Sequence, residues 1–176
     1  MSLLVRTIGA GRISIEGWVP AAPVRAWLAH LCGATGFDPR IIAAAADVPP
    51  SVGRSLSNTT RRLKRMRAID AQKLLALDTN ALLRGSQLMI SSTCAHEALK
   101  QLGPLRPARD VLMAKLQITA EQADGLAGGW LGMCPGLVVW KCIVWCEEIM
   151  HQRLLQVSRD SSGHPTGQGW QDERAA

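Results

Sequence analysis

Residues 38–58, DPRIIAAAADVPPSVGRSLSN, decide the fold of this chain. Asp38 before Pro39 reads as a helix entry: the carboxylate can accept from the first unpaired backbone N–H groups, and Pro39 has no N–H to leave unpaired. The predicted helix runs through Arg40, Ile41, Ile42 and four alanines to Ala46. Asp47 and Val48 then make a tight turn. Pro49-Pro50-Ser51 opens a further short helix through Val52, Arg54 and Leu56, ending near Asn58.

Val48, Val52 and Leu56 recur at one-turn intervals, so they share an inward face directed at Ile42 and Leu28. The small side chains of Ala43 to Ala46 let the two helices approach closely. Ser51, Arg54, Ser55 and Asn58 are left facing outward. A helix, a tight turn and a second short helix with a polar outer face have the spacing of a helix-turn-helix, whose second helix can lie in the major groove of DNA. Arginine can pair with guanine O6 and N7, and serine and asparagine can take base edges or phosphates. The outward four are therefore the expected base-reading residues.

Upstream, Pro20-Ala-Ala-Pro23 opens a helix to about Cys32 with Val24, Trp27, Leu28 and Leu31 on one stripe, stopped by Gly33 and Gly36. Residues 1–17, loosely alternating and holding three glycines, are expected to form an N-terminal arm. Downstream lies the densest charge run of the chain, RRLKRMR at 61–67. Arg61, Arg62, Lys64, Arg65 and Arg67, with Arg40, are the expected phosphate contacts, one arginine being free to enter a minor groove. A helix from about Asp70 to Leu77 completes a DNA-binding domain over 18–78.

These residues resemble the small helix-turn-helix proteins found in actinobacteria, their phages and mobile elements. The resemblance rests on WVPAAPVRAWL from Trp18, Gly36 before the second helix, IIAAAADVPPSV from Ile41, and MRAIDA from Met66 with Leu74, Leu75 and Leu77. It covers about a third of the chain. It implies sequence-specific or semi-specific binding of double-stranded DNA by a transcriptional or mobile-element regulator. The chain departs from the pattern at Asp47, where a glycine is usual, and at Gly53, which lowers helix propensity by roughly 1 kcal/mol.

The second half predicts helices at about 79–92, 96–102, 106–117 and 121–127, a strongly apolar helix from Leu137 to about Leu155, and a disordered tail from Ser158. Sliding the chain against itself by 70 residues aligns Leu28 with Ala98, Ile41-Ile42 with Val111-Leu112, Ala44 with Ala114, Val48 with Ile118 and Leu56 with Leu126. The fold class expected is thus all-α: a helix-turn-helix domain followed by a second helical unit of similar pattern over 79–157. Its counterpart of the reading helix carries Ala120, Glu121 and Asp124, which phosphate would repel, so it is expected to serve packing or dimerisation. The Leu137–Leu155 helix, with Trp140, Cys142, Ile143, Trp145, Cys146 and Ile149, is expected to give one face to the core and another to a homodimer.

Charge follows the same division. Residues 1–78 hold eleven Lys/Arg against five Asp/Glu, whereas 79–176 hold nine of each, so the whole excess of +6 lies in the first half, which holds the predicted reading helix. Five cysteines in apolar helical context, with no signal peptide pattern, point to a reducing cytoplasm. The longest apolar run contains Lys141 and is too short to span a membrane. Cys142 and Cys146, one helical turn apart with Cys134 and His151 nearby, have a spacing that can in principle hold zinc or an iron–sulfur cluster. There is no C-x-x-C pair, however, and cysteines on an apolar helix read as small buried hydrophobes. Cys94 and His96 are not aimed at each other, and no phosphate-cradling or paired-carboxylate motif occurs. Neither a cofactor nor enzyme activity is expected. The competing expectation is a helical interaction module, antitoxin-like or an adaptor, whose basic segment takes an acidic protein.

Overall fold

A computed structural model describes residues 17–60 and 63–162. The chain is predominantly helical. Strand β1 (Trp18–Pro20) leads into α1 (Ala22–Thr35), α2 (Pro39–Ala45) and α3 (Pro50–Ser57), and β2 (Arg65–Arg67) returns to pair with β1 before α4 (Ala68–Leu75). After α5 (Thr79–Gln87) the order recurs: β3 (Met89–Ser91), α6 (Thr93–Gln101), a 3₁₀ turn (Gly103–Leu105), α7 (Arg109–Leu116), α8 (Ala120–Gly128), β4 (Met133–Pro135) and the long α9 (Gly136–Ser162).

Local chemistry accounts for the first unit. On α1, Val24, Leu28 and Leu31 form one buried stripe, and the helix ends at Gly36, whose φ of 72° is left-handed and whose N–H returns to the Cys32 carbonyl. Gly33 lies inside the helix and does not stop it, because nothing at that position demands a positive φ. Asp38 caps α2 by accepting from the Arg40 N–H at 2.8 Å. In the turn, Asp47 takes φ 54°, the conformation a glycine would take there, and Val48 is buried behind it. Asp47 is therefore the one non-glycine residue of this turn that takes left-handed backbone.

Gly53 has the opposite role from the one its propensity suggests. It faces α2, and a Cβ built on it would lie 2.4 Å from the Pro39 carbonyl oxygen and 3.1 Å from the Ala43 Cβ. The α2–α3 contact is backbone against backbone, which only glycine permits.

Two ribbons were not foreseen in the sequence. The β1–β2 pair sets Trp18 opposite Arg67, Val19 opposite Met66 and Pro20 opposite Arg65. Part of the basic run is thus a strand, not a loop: alternation buries Met66 in the core and turns Arg65 and Arg67 outward. The β3–β4 pair, Ile90 opposite Cys134, likewise ends the expected 79–92 helix early, at Gln87. The next two helices also start elsewhere than expected, at Thr93 and at Arg109, the latter because the 3₁₀ turn and Pro107 intervene. The last helix continues through Ser162, so the chain beyond Ser158 is still helical for a turn.

The two units are structural repeats. Buried Ala21, Val24, Leu28 and Leu31 correspond to Ser92, Ala95, Leu99 and Leu102, and Ile42, Gly53 and Leu56 to Leu112, Ala123 and Leu126. Asp47 corresponds to Gln117, the other non-glycine residue of positive φ among the described residues. Even the ribbon ends match: Ala21 N–H bonds the Lys64 carbonyl as Ser92 N–H bonds that of Gly132. A uniform shift of 70 is one residue wrong in the first helix, where Leu28 matches Leu99 and not Ala98, because the second unit has one residue fewer between its first helix and the next.

Two hydrophobic clusters result, one per unit. Helix α2 lies between them: Ile42, Ala43 and Ala46 belong to the first, while Ile41 and Ala44 pack against the second. The alanine run thus serves two neighbours, α3 and α9. Val139, Trp140, Cys142 and Cys146 of α9 are buried, and past Ile149 the helix is exposed through Arg159, including Met150, Leu154, Leu155 and Val157. Among the described residues no helix is long and apolar enough to cross a membrane.

Candidate nucleic-acid interface

The outer side of α3 is a ridge between two depressions. Ser51 and Asn58 are exposed, and Arg54 and Ser55 are half-buried. On one flank Arg54, Ser57 and Asn58 meet Asp38, Pro39 and Arg40 around an open hollow of about 350 Å³. On the other, Ser51, Val52 and Ser55 meet Trp18, Arg65 and Arg67 of the ribbon around a hollow of about 210 Å³. The four expected base-reading residues are therefore brought to one face, and Arg65 and Arg67 stand beside it on strand β2.

Each element of this face is fixed from behind. Arg25 of α1 donates from Nε to the Leu56 carbonyl at 3.1 Å and from Nη2 to the Leu63 carbonyl at 2.6 Å, tying the end of α3 to the approach of β2. Trp27 Nε1 donates to the Leu77 carbonyl at 3.1 Å. Lys73 binds the Asp47 carboxylate at 2.6 Å and its carbonyl at 2.8 Å, holding the turn to α4. Arg65 Nη2 donates to the Trp18 carbonyl at 2.9 Å. Of these supports, only Arg65 was expected as a site residue. Arg25, a cation beside the apolar stripe of α1, was the nearest signal.

Arg40 is placed differently from the expectation of a free phosphate ligand. It is bound to Asp38 at 3.0 Å and lies 3.6 Å from Glu148 of α9, so its charge is already balanced. The Asp38 carboxyl is pushed up by burial, but hydrogen bonds from the Arg40 side chain and backbone and the charges of Arg40 and Arg54 outweigh this and hold it below the usual range. Glu147, the neighbour of Glu148, accepts from the Ser51 N–H at 3.0 Å and supplies the N-terminal cap that Pro49 cannot give α3. Lys64 is exposed beside Arg65. Arg61 and Arg62 lie outside the described residues.

The second unit presents opposite chemistry at the same positions. Asp110 stands where Arg40 does, Glu121 for Ser51, Asp124 for Arg54, Met133 for Arg65 and Met89 for Trp18. Arg109 pairs with Asp124 at 3.4 Å, partly neutralising the acidic pair. That face offers phosphate nothing.

Cys142, His96 and His30 each have a partner within the fold. Cys142 is buried, and its hydrogen bond with Cys146 together with burial pushes its thiol far above the ordinary range. The His96 ring meets the Leu126 carbonyl at 3.0 Å, and His30 stacks on Trp27. Among the described residues no group of three or more His, Cys, Asp or Glu is arranged to hold a metal ion. Compared with family models, curated proteins and solved structures, the chain matches none.

Proposed function

We propose that this protein binds double-stranded DNA through α2, the Asp47 turn and α3 acting as a helix-turn-helix, and that it serves as a transcriptional or mobile-element regulator in the cytoplasm, without catalytic activity. The observation that carries this reading is the outer face of α3, where Ser51, Arg54, Ser55 and Asn58 form one ridge flanked by the outward Arg65 and Arg67. A helix is as wide as the major groove, and a ridge of short polar side chains with one arginine can enter it while flanking cations meet phosphate. Arg54 reads guanine, and Lys64, Arg65 and Arg67 supply affinity that does not depend on sequence. The acidic second unit takes no DNA and packs through α9 against the first. Twofold pairing through the exposed Met150, Leu154 and Val157 of α9 would bring two reading helices to one operator.

An acidic protein partner is a second reading with its own support: carboxylates already sit against this face, Glu147 on Ser51 and Glu148 on Arg40. One experiment separates the two. Fluorescence-anisotropy titration of random and selected duplexes at several salt concentrations should show binding that weakens steeply with salt. Arg54→Ala should lose the preference for the selected duplex, at roughly 1–3 kcal/mol. No binding at low salt would eliminate the DNA reading.

A further inference from the structure

Trp18 belongs to the same interface, although nothing in the sequence pattern marked it. It is 59 % exposed at the start of a three-residue strand, where a Trp gains nothing from the core. The residue opposite it is Arg67, and Arg65 donates to its carbonyl. The ring, both arginines and the Ser51–Ser55 side of α3 line one hollow, together with one carboxylate, Asp70, which the two arginines outnumber. Exposed apolar surface among outward cations suits a ligand that combines apolar and anionic surface, as the deoxyribose–phosphate chain does. The second unit, acidic on the helix that corresponds to α3, keeps exposed apolar surface here in Met89 and Met133, which stand in place of Trp18 and Arg65, but without the cation of Arg65.

Groove dimensions decide what the ribbon meets. An α-helix with its side chains is about 10–12 Å across and the major groove about 12 Å wide, so α3 alone fills it. An element packed on the flank of α3 must then fall on the groove wall. Resting on the DNA reading above, we infer that the β1–β2 ribbon clamps one sugar–phosphate wall of the groove that α3 enters, with Trp18 packed on deoxyribose and Arg65 and Arg67 on the adjacent phosphates. Arg65 keeps donors for this while bound to the Trp18 carbonyl, because a guanidinium has five.

The test uses the full chain and the duplex that binds it tightest. Hydroxyl-radical footprinting of the unaltered protein should show a protected run of sugars on one strand beside the guanine contacts. Trp18→Ala should weaken binding about tenfold with an unchanged salt slope, and Trp18→Phe should restore most of it. Arg65→Ala with Arg67→Ala should lower the slope by about 1.8, near 0.9 for each phosphate released. Sugars protected only opposite α3, or ribbon variants that bind like the parent while Arg54→Ala does not, would overturn the clamp and leave the helix reading intact. A parent protein that binds no duplex would overturn both.

Discussion

Replacing Gly53 with alanine sets helix propensity against packing within one residue. In an open helix the change is favourable by roughly 0.8–1.0 kcal/mol. Here the new methyl would meet the Pro39 carbonyl at 2.4 Å and its carbon at 2.8 Å, below the 3.0 Å that real Cβ atoms respect. The obstacle is backbone, so no rotamer relieves it and α3 must move off α2. A gap of 0.5–1 Å forfeits a quarter to a half of the dispersion between the facing atoms, and overpacking of this kind costs about 1–3 kcal/mol or more. The separation would also loosen Leu56 and Val48 in the first cluster. The net expectation is destabilisation by about 2 kcal/mol, or roughly 4–8 °C in thermal midpoint for a chain of this size. Gly33 is the control, since it too is helical but has nothing within 4 Å of its built Cβ. Gly33→Ala should raise stability by about 0.5–1 kcal/mol. Thermal and urea unfolding followed by circular dichroism would measure both, and a Gly53→Ala protein as stable as the parent would refute the backbone contact between α2 and α3.

Three other outcomes follow from the structure. Asp38 has a lowered folded pKa, so its charge stabilises the fold above the ordinary aspartate value and that contribution is lost as pH falls through the lower folded value. Asp38→Asn, which keeps a capping acceptor, should flatten the fall in urea midpoint as pH drops below the ordinary aspartate range. Gln117→Gly should add about 0.5–1 kcal/mol by relieving left-handed backbone at φ 57°, read from the urea midpoint. Asp47→Gly should gain less, because it also gives up the Lys73 contact, although the Asp47 side chain is 96 % exposed and such pairs are worth little.

The repeat shows how one framework carries two chemistries. The buried positions that define the unit stay apolar or small in both copies, from Leu28 and Leu99 to Leu56 and Leu126. Surface positions are free of that constraint, and there Arg40 and Arg54 stand against Asp110 and Asp124. Core packing therefore accounts for the shared shape, and only the exposed side chains decide what each copy can bind.

Periodicity and caps were enough to find the helices. Asp38-Pro39, Pro49-Pro50 and the inward series Val48, Val52 and Leu56 act within a few residues, where the chain's own hydrogen bonds and hydrophobic spacing determine structure. The same spacing set Ser51, Arg54, Ser55 and Asn58 on one side of α3. What lies opposite what was settled only by folding. Strands of three residues are too short for an alternating pattern to stand out, and their pairing joins Trp18 to Arg67 across the whole of the first unit. The meaning of Gly53 depends on Pro39, the support given by Arg25 on the carbonyls of Leu56 and Leu63, and the cap on Ser51 on Glu147 from the far end of the chain. Local sequence determined which helices form and which side chains they turn outward, while contacts between residues distant in the chain decided the ribbons and how those side chains are flanked, braced and balanced in charge.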